Sequence, residues 1–141
     1  GALSVPEKGI SSAFRSVFEK TAYHLGMAFQ IHDDMMDYQP VVDSGKPYYQ
    51  DIRESKITLP LLGAMANAGD GEHRLQVAGW IRRLEQGNEP ALNRIIRFVQ
   101  EYDGLGYAGN VLQHHLEQAK VQLRPLPDSP WKDYLLKISD T

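Results

Sequence analysis

Apolar side chains recur every three or four positions along most of this chain, the spacing of helices that bury one face. Phe14, Phe18, Ala22, Leu25, Phe29 and Met36 keep that spacing through the first long segment. It predicts a helix capped by Ser11 or Ser12 and running to about Tyr38, where Pro40 stops it. Residues 39–56 read as a lysine-bearing loop. Thr58 as an N-cap with Pro60 in the first turn opens a helix to about Ala68, and Ala68-Gly69-Asp70-Gly71 makes a turn. A helix from about Arg74 to Gln86 follows, ended by Gly87. Asn88 or Glu89, with Pro90 in the first turn, opens another that runs to about Tyr102. Asp103-Gly104 breaks the chain before a long helix over about 105–123, which tolerates Gly106 and Gly109. Arg124 to Pro130 is a Pro-rich break, and Ser129 with Pro130 starts a short terminal helix. No stretch alternates with period two, and there is no internal repeat. The predicted fold class is all-α, built of antiparallel helices.

Composition narrows the function classes. At 141 residues the chain fits one domain or part of one. Its 42% hydrophobic and 23% charged residues are ordinary for a globular protein. A net charge of −3 supplies no basic field to recruit nucleic acid or anionic lipid. Cysteine is absent, which excludes disulfides, thiolate zinc sites and cysteine nucleophiles. No apolar run approaches ~20 residues and no signal peptide is visible, so a cytoplasmic protein without a membrane anchor is the expectation.

The chemistry concentrates where the first apolar run ends, at Asp33, Asp34 and Asp37. On a helix Asp33 and Asp37 share a face one turn apart, with Asp34 about 100° around. Phe29 lies one turn before Asp33, and Gln30 one turn before Asp34. Acids at a helix C-terminus face the negative end of the macrodipole at a cost of roughly 0.3–1 kcal/mol each, and they repel one another. A hard divalent cation with oxygen ligands, such as Mg²⁺, offsets both effects. Lys46 and Lys56 follow within a short stretch. Mg²⁺ held by one or two carboxylates completes its shell with water and substrate phosphates, and lysine supplies a point charge to the same phosphates. Acids, then lysines, then a new helix make a diphosphate clamp. Elsewhere the chemistry is thin. The adjacent His114 and His115 diverge by about 100° and do not chelate easily. His24 reads as structural, and Trp80 and Trp131 as core or interface anchors. No Walker loop, GxGxxG, GxSxG or HExxH is present.

The stretch from Leu25 to Asp37 resembles the second aspartate-rich motif of the trans-isoprenyl diphosphate synthases, the polyprenyl synthetase family. Gly45-Lys46-Pro47 through Asp51, then Lys56-Ile57-Thr58-Leu59-Pro60-Leu61-Leu62, is similar to the segment that follows it there. Weaker similarity continues to Tyr107-Ala108, Ala119-Lys120 and the Leu126-Pro127-Asp128-Ser129 turn. One position departs: many relatives carry Gly where this chain has Tyr49. The family has two aspartate-rich motifs on facing helices, and only the second has a counterpart here. Residues 1–141 are therefore expected to form a single partial domain, the C-terminal half of an isoprenoid-synthase helical barrel. The start at Gly1, without Met, fits a fragment.

The resemblance implies Mg²⁺-dependent condensation of isopentenyl diphosphate with an allylic diphosphate, lengthening a trans-polyprenyl chain. It implies Asp33 as the leading Mg²⁺ ligand, with Asp34 and Asp37 as co-ligands or acting through water. Lys46 and Lys56 would hold the allylic diphosphate and serve catalysis by neutralising it. Phe29 and Gln30 would meet the substrate one turn inward, and Asp51 would organise Lys46 or a metal-bound water. A homodimer is implied, as is inactivity of the fragment alone. Two rival readings are a non-catalytic subunit of a heteromeric synthase and a terpene cyclase. No NxxxSxxxE spacing follows Asp37, which disfavours the cyclase.

Overall fold

The computed structural model describes residues 10–39, 49–69 and 71–140. They form seven helices: α1 (Ile10–Met36), α2 (Gln50–Arg53), α3 (Leu59–Ala68), α4 (Gly71–Glu85), α5 (Glu89–Glu101), α6 (Gly104–Leu123) and α7 (Pro130–Ser139). There is no strand among the described residues, and the fold class is all-α. None of these helices is long and apolar enough to cross a membrane. The chain divides into two units. One takes the chain up to Phe29 and from Leu112 onward; the other takes Gln30–Val111. The α1 and α6 helices each run through both.

The Gln30–Val111 unit holds the larger core. Asn88 caps α5, its Oδ1 accepting from the Ala91 N–H at 3.3 Å. Pro90 stands in the first turn, where its missing N–H costs nothing. Ala91, Leu92, Ile95, Phe98 and Val99 then fall on one face and are buried with Ile52, Leu61, Ala64, Val77 and Leu84. Gly69 ends α3 in the left-handed region (φ 84°), and Gly87 follows α4 in the same way (φ 85°). The α3 helix and the start of α6 pass very close. A Cβ at Gly104 would stand 1.9 Å from the Pro60 carbonyl oxygen, so no larger residue fits.

In the other unit Leu25 and Ala28 of α1 pack with Leu116 and Ala119 of α6, flanked by Leu135 and Ile138 of α7. Ser129 caps α7, its Oγ accepting from the Lys132 N–H at 3.1 Å. Lys132 is buried and donates from Nζ to the carbonyls of Arg124 and Leu126, in the turn that follows α6. His24 and His115 meet Nδ1 to Nδ1 at 2.9 Å, so His24 has the structural role its position suggests.

Four expectations about elements need correction. The α1 helix is already under way at Ile10, so Ser11 and Ser12 lie inside its first turn and not at its cap. The 39–56 segment is not all loop, because Gln50–Arg53 coil into α2 with Ile52 fully buried. The α4 helix begins at Gly71, three residues before Arg74, since the glycine turn ends at once. Thr58 occupies the N-cap position of α3, but its side chain makes no capping bond, and its buried Oγ1 has no partner among the described residues. Pro40 lies outside the described residues.

Candidate diphosphate-binding site

The candidate site forms where α1 ends and the chain folds back through α2. The Asp37 N–H still reaches the Asp33 carbonyl at 3.3 Å. Tyr38 and Gln39 then bond to Met35 and Met36, three residues back, which tightens and closes the helix. The three aspartates meet different surroundings. Asp33 is exposed. Asp34 is 8% exposed, and its Oδ1 accepts from Gln30 Nε2 at 3.0 Å. Asp37 Oδ1 accepts from the Asp51 N–H at 3.3 Å, with the amides of Gln50 and Ile52 also facing it. The Asp37 carboxylate thus sits at the amino end of α2. Its Oδ2 is buried without a hydrogen-bond partner among the described residues.

Burial raises the Asp34 carboxyl above its ordinary value; Asp51 and Asp33 push the same way, while the Gln30 bond and the Lys56 charge oppose them. Burial also raises Asp37, with Asp51 adding to it and the α2 amides opposing. Tyr38, buried beside Asp37 and Asp51, is raised for the same reason. Lys56 Nζ stands 3.9 Å from Asp51 Oδ1, and the Lys56 N–H bonds the Asp51 carbonyl at 2.8 Å. Asp51 is therefore the common neighbour of Asp34, Asp37 and Lys56, with Gln30 orienting Asp34.

Sequence reasoning gave Asp51 a minor part. In the structure its amide bonds Asp37 and its carboxyl faces Lys56. The signal was the Asp51-to-Lys56 spacing, legible only once α2 is known to fold between them. Phe29, one turn before Asp33, is 61% exposed. Lys46 lies outside the described residues.

Hard carboxylate oxygens are the donors a Mg²⁺-type cation takes. Among the described residues, however, no three His, Asp or Glu side chains are arranged to hold a metal together. The donor set fits a cation bound through one or two carboxylates and completed by water and phosphate. It does not form a three-carboxylate cage, because Asp34 is turned to Gln30 and Asp37 to α2. Asp37 Oδ2 is the buried carboxylate oxygen here with room for a further donor or cation.

The family model described as polyprenyl synthetase matches residues 5–97. The chain belongs to the polyprenyl synthetase family. It is 34% identical over 127 residues to an all-trans-nonaprenyl-diphosphate synthase (geranyl-diphosphate specific) of Rhodobacter capsulatus, covering 89% of this chain and 38% of that protein. It is 34% identical over 119 residues to a short chain isoprenyl diphosphate synthase of Methanothermobacter thermautotrophicus, covering 82% of this chain and 35% of that one. The fold superposes on a polyprenyl synthase from Caulobacter crescentus CB15, complexed with calcium and isoprenyl diphosphate, with a TM-score of 0.76 at 29% identity. That match covers 92% of this chain and 39% of the other. The chain thus spans less than two-fifths of the length of these polyprenyl synthetase relatives. They are named for both long and short products.

Proposed function

We propose that this polyprenyl synthetase chain serves a trans-prenyltransferase that joins isopentenyl diphosphate to an allylic diphosphate, and that it carries one side of the clamp on the allylic diphosphate. The observation that supports this reading most directly is the cluster of Asp34, Asp37, Asp51 and Lys56 beside the exposed Asp33. In the reaction the allylic C–O bond breaks, diphosphate leaves with the bonding electrons, and a carbon–carbon bond to the isopentenyl unit forms as a proton is lost. The demand on the protein is to stabilise a departing polyanion. Bound Mg²⁺ would supply most of that charge. Asp33, with its exposed carboxyl, is the ligand best placed to reach it, and Asp34 and Asp37 act alongside or through water. Lys56 and Lys46 neutralise the diphosphate directly. Gln30 holds Asp34 in place, and Phe29 offers an apolar surface to the first carbons of the chain. No side-chain base is required, because the freed diphosphate can accept the proton. The clamp's other side is the family's first aspartate-rich motif, so the 141-residue chain alone is expected to bind without turning over.

Calorimetric titration with Mg²⁺ and inorganic diphosphate together tests this. Weak saturable binding is expected, reduced by about tenfold in Lys56→Ala, since a charge-assisted contact is worth roughly 1.5–3 kcal/mol, and reduced also in Asp33→Asn. Binding that neither substitution alters, or no binding at millimolar ligand, overturns the reading.

A further inference from the structure

A second cluster of charge lies on the α4–α5 hairpin, among residues the diphosphate clamp does not use. His73 and Trp80 of α4 with Arg94, Arg97 and Phe98 of α5, and Tyr102 just after it, line a cavity of about 260 Å³. Its floor is aromatic and rigid. Phe98 is 3% exposed. The His73 ring lies nearly parallel to it at 5.7 Å, and Trp80 and Tyr102 meet it edge-on at 6.0 and 4.9 Å. The Tyr102 hydroxyl and His73 Nε2 are 3.1 Å apart, which fixes both rings. Arg94 also lines an adjoining cavity of about 210 Å³ with Arg83.

The groove sets two arginines beside its aromatic floor. Arg53, Lys56, Lys120 and Lys132 each meet a carboxylate. Arg83, Arg94 and Arg97 meet none among the described residues, although Glu101 lines the same cavity as Arg94 and Arg97. Arg94 and Arg97 are three apart on α5 and so project from one edge of it. Two guanidinium forks at one edge of an aromatic floor match a ligand with an oxyanion at one end and a flat ring at the other. The forks take phosphate or carboxylate oxygens bidentately, and the ring lies against Trp80 and His73.

We propose that the α4–α5 groove is a binding site for a small aromatic anion, a ring carrying a phosphate or carboxylate, separate from the diphosphate clamp. Trp80 reports on it directly. Trp131, the chain's other tryptophan, is removed by Trp131→Phe, and the emission of this variant is followed while phenyl phosphate, benzoate, inorganic phosphate or phenol is added.

A saturable change with phenyl phosphate or benzoate is expected, tighter than with inorganic phosphate or phenol. Which of the two binds tighter identifies the oxyanion. Arg94→Ala with Arg97→Ala in this background should weaken binding by about tenfold or more, as expected for lost charge-assisted bonds. Glu101→Gln should tighten it, and Lys56→Ala should leave it unchanged. The Glu101→Gln arm keeps the test decisive should the double arginine variant fail to fold. No saturable change below 10 mM (about the weakest range for a specific small-ligand site) overturns the proposal. So does equal affinity for inorganic phosphate, or weaker binding in Glu101→Gln. Loss of binding in Lys56→Ala would return the signal to the clamp and also overturn it.

Discussion

Tyr49 has φ 55° and ψ 37°, a left-handed conformation that side chains with a Cβ adopt at a cost of about 1 kcal/mol. Glycine in many relatives at this position is explained by that geometry. In this chain the edge-on contact of Tyr49 with Tyr38 at 6.2 Å helps hold it there. Asp34 and Asp37 are costly in a different way, since both are partly or wholly buried and both carboxyls are raised. A raised carboxyl gives stability that is full below the ordinary value of 3.8 and is lost as pH climbs through the raised value. Asp34→Asn keeps an acceptor for Gln30 and removes the charge. It should raise the metal-free melting temperature by a few degrees at pH 7 and by nothing near pH 3, as followed by circular dichroism. A melting temperature lowered at pH 7 would show that the Asp34 charge is already compensated. Under the proposed function the same substitution should also weaken the binding of Mg²⁺ with diphosphate, read by calorimetry.

At the scale of elements, stability hangs on a few junctions. Gly104→Ala drives a Cβ into the Pro60 carbonyl and must separate α3 from α6. A loss of about 3 kcal/mol or more in urea unfolding is expected, the size of other severe packing clashes. Asn88→Ala removes only the α5 cap and should cost about 1 kcal/mol. The contact between α1 and α6 carries a pH dependence of its own. Burial, then the neighbouring His114, lowers His24; burial, then His24 and His114, lowers His115. Tyr23 and His114 also pack their rings against the pair. A lowered imidazole means that the unfolded chain binds the proton more tightly, so stability falls as pH drops through about 6.5. His115→Asn should flatten the melting temperature between pH 7.5 and 5.5 (a window about the free imidazole value) relative to the native chain. Equal slopes would remove the His24–His115 pair as the cause.

For the whole molecule the apolar surface is the deciding quantity. Phe29, Leu62, Leu75 and Tyr134 are all exposed. Exposed apolar side chains add to the surface that association can bury. Sedimentation of the 141-residue chain should show association that grows with concentration, and a monomer across the micromolar range would count against it. Purified alone with Mg²⁺ and both diphosphates, the chain is expected to form no prenyl product. Product formed in proportion to its concentration would show that one aspartate-rich motif is sufficient.

The sequence alone determined the six longer helices but not α2, because apolar periodicity, Asn88, Ser129, Pro60 and Gly87 are local signals that act within a turn or two. It also singled out Asp33, Asp34, Asp37 and Lys56 as candidates, since acids beside lysines form a pattern in one dimension. Only the tertiary structure decided how those acids are oriented. Asp37 faces the amides of α2 and Asp34 is buried against Gln30, and neither fact has a local signal. Both arise because α2 folds back onto the end of α1, driven by burial of Ile52 in a core built mainly from α3, α4 and α5. A carboxylate's neighbours are set by residues distant in sequence, and so are its burial and its charge state.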